Sequence, residues 1–509
     1  MQQISNKTIF LLTTKYAHQH CCKHLFKSIE LPSTLKNKYV HQLMIAASQM
    51  MLPLLSYPYI TRVLGPANIG LVNYVDFLAQ LFMIFAAFGI PFYAVREVAT
   101  TNQDVFKRSV LVKELTILHV IFSTVAAVFF VILTYRHWGT NCMLYGLAIA
   151  NILISAFTFD WYIQGTEAFG FAAYRYIIVR ALLLLAFFVC IKYSSQYILY
   201  YAIYTAGLCA MAILNAIKVF TENNFIAIPI HFKRHLKPLT HFFLTASAIS
   251  IYIYFDTILL QYFTQNTLYV GYYTTAVKLV KIFLTVLLAI GTVLLPRLSF
   301  LVSKGNAIEV RKYLDTYFNF IITIGLPISA GLAFLAPEII VLVAGNSFIA
   351  AAPLVQILAL LPLIISLSNL FCFQTLVPFN KEHQFLVIVI IGCIASVSLN
   401  VILIPMVGVQ GAAFANVITE CIITLLAGLQ AYKLIKFAFS FSIIWQAIVS
   451  VLFFLPIIAA ARYCFSSTLV VALFSVMGCI AWYSLLQTVL FKNKILIQIL
   501  QYTKQFFTF

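Results

Sequence analysis

Asp76, Asp160, Arg180, Asp256, Lys278, Lys281 and Glu420 are charged side chains that stand inside long apolar runs of this chain. Placing a charge in hydrocarbon costs about 2.5–3.5 kcal/mol or more, so such a residue faces a partner or a wet cavity. Lys278 and Lys281 are three residues apart and share one helical face. A cavity walled by Arg180, Lys278 and Lys281 attracts an anionic group such as phosphate or pyrophosphate. Arg is the planar clamp in such a site and Lys the point charge. The acids suit gating or coupling. Asp256 and Lys278 fall at equal depth on an antiparallel hairpin, which predicts an ion pair between them. Asp160 is placed to meet Arg175 or Arg180 across an inner hairpin, as a helix tie or as a functional pair. Asp76 and Glu420 read as pore-lining residues or as proton or sodium sites.

The elements that must position these residues follow from composition. The 509 residues are 63% hydrophobic and 9% charged, against roughly 25% charged in a soluble domain. Apolar runs of about 18 residues or more recur end to end, without alternation, and only helices or closed barrels satisfy the backbone in lipid. The expected fold is therefore an all-α polytopic membrane protein of about 14 transmembrane helices. The spans fall near 42–63, 71–95, 110–134, 142–163, 174–192 and 197–219, then 240–263, 271–296, 317–336, 351–379, 384–405 and 410–432. Two more lie near 440–461 and 468–491. Gly65-Pro66, Trp138-Gly139, Pro229, Pro337 and Gly408 punctuate them.

The net charge of +18 is a matter of topology rather than of nucleic-acid binding. With the N-terminus assigned to the cytoplasm, 25 Lys and Arg fall on that side, 4 on the other and 3 within spans. This split supports an even helix count with both termini inside. The ten Cys are scattered and show no metal or disulfide spacing. HQHCCKH at 18–24 lacks a second ligand cluster with zinc-type spacing, so no metal is expected.

A parallel repeat is legible in spacing. Gly70 aligns with Gly271, and Arg96 and Arg297 each follow their glycine by 26 residues. The copies are six spans apart and so share an orientation, which puts a substrate path between the two halves. The expected organisation is a basic cytoplasmic tail at 1–41, an N-terminal six-helix bundle at 42–220 and a cytoplasmic linker at 221–239. A C-terminal six-helix bundle at 240–434 follows, then two additional helices with a short cytoplasmic tail at 435–509. Tyrosines cluster at Tyr197, Tyr200, Tyr201 and Tyr204, at Tyr252 and Tyr254, and at Tyr269, Tyr272 and Tyr273. Most suit interfacial belts or packing, and a minority could stack on sugar faces. No Walker loop, GxSxG or HExxH is present.

Several stretches carry a resemblance. PYITRVLGPANIGLVNY, FDWYIQGTEAF at 159–169, FDTILLQYFTQNTLYVGYYTTAVKLVK at 255–281, LLPRLS at 294–299 and IPMVGVQGAAFANVITE at 404–420 are similar to bacterial polysaccharide transporters. In particular they resemble the O-antigen flippases called Wzx, of the multidrug/oligosaccharidyl-lipid/polysaccharide exporter superfamily. The resemblance implies two six-helix bundles in a V, two extra C-terminal helices, and a place in the bacterial inner (plasma) membrane. It implies flipping of an undecaprenyl-pyrophosphate-linked oligosaccharide by alternating access, no cofactor, and coupling to protons or sodium. The partners it implies are the lipid-linked oligosaccharide, membrane lipids, a glycan polymerase and a chain-length regulator. Three other classes compete: a drug or cation antiporter of the same superfamily, a glycan polymerase or ligase, and a structural scaffold. The basic excess within the spans disfavours the antiporter. Short outer loops disfavour the enzyme, and the intramembrane charges disfavour the scaffold.

Overall fold

The computed structural model describes residues 33–101, 103–224, 231–437, 440–493 and 495–497. The HQHCCKH stretch and the tail up to residue 32 lie outside them, as do residues 498–509. The described residues are almost entirely helical and hold no strand.

Helix α1, Ser33–Ala87, runs through two expected spans and breaks at Gly65. Gly65 sits at φ +74 with open space around its α-carbon, so its conformation rather than packing demands glycine. Pro66 then opens the second limb, where its missing N–H costs nothing. Phe88 and Gly89, both at positive φ, end that limb, and α2 (Ile90–Thr101) continues at a new angle. The rest of the first half is α3 (Val105–Thr134), α4 (Cys142–Ile154), α5 (Asp160–Gly165), α6 (Phe169–Cys190) and α7 (Tyr197–Glu222).

The second half starts with α8 (Lys233–Thr264) and α9 (Thr267–Ser303). Next come α10 (Ala307–Phe320), α11 (Leu326–Phe334), α12 (Ala336–Ala344), α13 (Ala352–Leu358) and α14 (Leu361–Phe371). Then come α15 (Glu382–Val407) and α16 (Val409–Leu434). The appended helices are α17 (Phe441–Leu452), α18 (Phe454–Cys464) and α19 (Thr468–Leu485). Twelve helices of the described residues are long and apolar enough to cross a membrane. The bend in α1 splits one of these into two, and α8, 32 residues long, adds another. Together they agree with the expected fourteen.

Outward faces confirm the solvent. Val128, Phe129, Ile132 and Leu133 on α3, and Leu473, Phe474, Met477 and Ile480 on α19, are all exposed. Apolar surface that extensive belongs in lipid. Inward, one core joins the halves: Ile60, Leu64 and Ile69 of α1 pack with Val270, Tyr273, Ala276 and Leu279 of α9. Their approach is closest at the aligned glycines. A Cβ on Gly70 would stand 1.7 Å from Thr267 O, and one on Gly271 would stand 1.9 Å from Pro66 O. Only glycine admits two backbones at that distance. A second seam joins α1 to α8, where Phe77 meets Tyr254 at 5.5 Å and Phe88 stacks on Phe243 at 4.5 Å.

Candidate functional site

The site is built where α1 crosses α9, just past the glycine contact. Asn73 and Thr274 each lie three residues beyond their glycine, at matching places in the repeat. They bond to each other, Asn73 Nδ2 donating to Thr274 Oγ1 at 2.8 Å. Lys278 Nζ donates to Asn73 Oδ1 at 3.0 Å and lies 4.7 Å from the centre of the Tyr57 ring. The Tyr57 hydroxyl meets Thr275 Oγ1 at 2.9 Å. Asp76, one turn from Asn73, accepts from the Tyr201 hydroxyl at 3.2 Å, and Lys278 is near enough for its charge to act on that carboxylate.

The expected Asp256–Lys278 ion pair is not formed. Equal depth is only a length counted along the hairpin and says nothing about azimuth. Lys278 faces α1 in the other half, whereas Asp256 on α8 faces α9, α15 and α16. Four neutral donors hold the Asp256 carboxylate: Tyr273 OH at 3.0 Å, Ser396 Oγ at 3.1 Å, Asn400 Nδ2 at 2.9 Å and Asn416 Nδ2 at 3.0 Å. A buried carboxylate needs this many donors to remain soluble in protein. Glu420 is buried on α16, one turn from Asn416 on the same face.

Lys281 is exposed on α9. Its nearest charges are Asp256, which attracts it, and Lys278; among the described residues no acceptor bonds its ammonium. Arg180 on α6 donates Nη1 to Ser48 O at 3.3 Å and lies 5.5 Å from the Tyr176 ring centre. Tyr204, stacked on Tyr201 at 6.2 Å, is close enough to both Arg180 and Asp76 to feel their charges. Asp76 is thereby linked by charge to Lys278 and, through Tyr204, to Arg180. Asp160 is elsewhere. It pairs with buried Arg175 at 2.9 Å and with Asn215 at 3.3 Å, so of the two expected partners it takes Arg175.

The charge pattern had not indicated Asn73, Thr274, Tyr57, Ser396, Asn400 or Asn416. Their signal is present in the sequence as polar residues at helical spacing in apolar runs, Asn73 with Asp76 and Ser396 with Asn400. A further cluster, equally unmarked, lies at the opposite end. Buried Glu114 on α3 accepts from Arg234, from His235 Nε2 at 2.8 Å and from the His231 amide at 2.7 Å. His235 Nδ1 meets the Tyr93 hydroxyl at 2.8 Å. This ties the start of α8 to α2 and α3. Arg62 also bonds across the halves, to Leu342 O.

Comparison with known proteins bears on the family and the fold. The profile of the family described as "Polysaccharide biosynthesis protein" matches residues 35–302. A candidate O-antigen transporter of Shigella dysenteriae is 25% identical over 399 residues, covering 77% of this chain and 98% of that one. One from Escherichia coli K12 is 24% identical, covering 77% and 95%. Among solved structures, the lipid II flippase MurJ in an inward closed conformation superposes with a TM-score of 0.69 at 15% identity, over 90% of this chain and 99% of that one. An inward-facing multidrug resistance MATE family transporter of the MOP superfamily superposes at 0.61 and 14%, over 76% and 94%. The fold is that of this transporter group.

Proposed function

Because the chain belongs to the polysaccharide biosynthesis protein family, we propose that it flips an undecaprenyl-pyrophosphate-linked oligosaccharide from the cytoplasmic to the outer leaflet of the plasma membrane. The cargo is an O-antigen or similar surface polysaccharide repeat unit, moved by alternating access between bundles at 42–220 and 240–434. Its relatives are named as transporters, and a transporter rather than an enzyme is what the site chemistry suits. One observation carries the reading: Lys278 and Lys281 stand on α9, where Lys278 bonds to α1, Arg180 stands on α6 against Ser48 of α1, and no described acceptor bonds the Lys281 ammonium. A pyrophosphate fits such a group, and the hydroxyls of Tyr57, Tyr201 and Tyr204 are placed for sugars. The asymmetry of Lys and Arg assigns the Gly70 end to the outside and both termini to the cytoplasm. The described contacts then hold the outer end closed.

Asp256 is the proposed coupling residue, with Asp76 and Glu420 as further proton or sodium sites and Asp160 as a gating tie. A carboxylate surrounded by four neutral donors can exchange a proton or a cation without leaving an opposite charge stranded. A glycan polymerase and a chain-length regulator are the proposed downstream partners. The test is complementation. Lys281→Ala and Arg180→Ala are expected to abolish surface glycan while the protein remains inserted. Normal glycan in both variants, or drug sensitivity with normal glycan in a deletion strain, refutes the assignment; the latter favours a drug antiporter.

A further inference from the structure

We propose that Asn73 and Lys278 form a latch at the Gly70 end that the anionic cargo itself releases. The proposal rests on the function proposed above and assigns a role to Asn73, a residue outside the charged set. The two halves are bonded there through repeat counterparts, Asn73 Nδ2 to Thr274 Oγ1 at 2.8 Å. The second repeat alone adds a cation. The position seven beyond Gly271 is Lys278, and seven beyond Gly70 is Phe77. Lys278 reaches back across the interface to Asn73 Oδ1 at 3.0 Å. Asn73 is therefore clamped on both sides of its amide, and α9 supplies both clamps.

The clamp is weak in a specific way. A neutral amide oxygen is a poorer acceptor for an ammonium than a phosphate, which brings an opposite charge to the bond. Lys281, three residues on along the same face and with no bonded acceptor among the described residues, is the natural first contact for that phosphate. An anion held there lies within reach of Lys278, whose flexible stem lets the ammonium turn. Once Lys278 turns, Asn73 keeps only a neutral hydroxyl partner, and Tyr57 loses the cation over its ring. Cargo binding thus removes the one charged bond described between α1 and α9. The ratio of closed to open outer ends should fall about tenfold to a hundredfold.

The test uses the full chain in lipid nanodiscs, in a background without its native cysteines. Spin labels are placed on the exposed positions Ala67 and Ser347 of opposite halves, and distances are read by pulsed electron paramagnetic resonance. The probe is undecaprenyl pyrophosphate, with inorganic pyrophosphate and undecaprenol as comparison arms and binding measured in parallel by native mass spectrometry. Undecaprenyl pyrophosphate should raise the long-distance population about tenfold or more. Asn73→Ala should raise it without probe and blunt the further response. Asn73→Asp, which gives Lys278 a charged partner, should lower it and resist the probe; a merely damaged interface would not move both ways. Binding of the probe with no change in distance overturns the latch alone. So does an Asn73→Ala protein that responds by the same factor as the parent. Absence of binding overturns the cargo assignment and the latch with it.

Discussion

Replacing Gly70 with alanine isolates the closed Gly70 end from every charge in the site. The added Cβ would stand 1.7 Å from Thr267 O, 2.6 Å from Gly271 N and 2.8 Å from Thr267 C. All three are backbone atoms of α9, so no side chain can swing aside. A carbon rests about 3.3–3.6 Å from a carbonyl oxygen, so the helices must part by roughly 1.6–1.9 Å at this point. Overpacking of this kind costs about 1–3 kcal/mol, and the cost falls on the closed arrangement alone if the open one separates these helices. The closed population should then drop about 5- to 150-fold. Gly271→Ala, aimed at Pro66 O from the other side, should act alike. Gly146, with open space around it, is the control, where alanine gains helix propensity and should change nothing. The assay is the distance between labels on Ala67 and Ser347, with surface glycan scored in parallel. A distance distribution in Gly70→Ala matching the parent and the Gly146→Ala control would refute the reasoning.

Asp256→Asn keeps the shape but presents an amide to four donors; transport driven by an imposed proton or sodium gradient should lose its gradient dependence, while a fully retained dependence removes Asp256 from coupling. Glu114→Gln should lower stability by about 1–3 kcal/mol, since Glu114 is buried and accepts from Arg234, His235 and the His231 amide. Thermal unfolding in detergent reads this, and combining it with His235→Ala should be markedly less than additive. Arg462→Ala breaks the two bonds to Glu338, at 2.6 and 2.9 Å, that fasten the appended helices. Because Arg462 is half exposed, the loss should be only about 0.5–1 kcal/mol, with surface glycan unchanged.

The helical architecture was legible because hydropathy and turn residues act locally. Gly65-Pro66 marked a real break, and each expected span has its helix. The repeat was legible for a subtler reason. Gly70 and Gly271 align because they meet, and a close backbone contact can be made only by the residue without a side chain. Pairings were less legible. Asp160 with Arg175 could be read because the two fall on one hairpin. Asp256 with Lys278 failed because position along a helix leaves rotation about its axis free, and rotation is fixed by packing against α15 and α16, far away in sequence. Asn73, Asn400 and Asn416 are less legible because the pattern of charge leaves out neutral amides. In lipid those amides are nearly as informative, since each needs a partner.

The most direct test of the account is translocation by the purified protein in proteoliposomes. A fluorescent oligosaccharide linked through pyrophosphate to undecaprenol is loaded, and its arrival in the opposite leaflet is read by a membrane-impermeant quencher. The account predicts translocation by the parent chain, its loss in Lys281→Ala and Arg180→Ala, and little movement of a matched cargo with a neutral linkage. Equal rates for the pyrophosphate and neutral cargoes, or full activity in both variants, would contradict it.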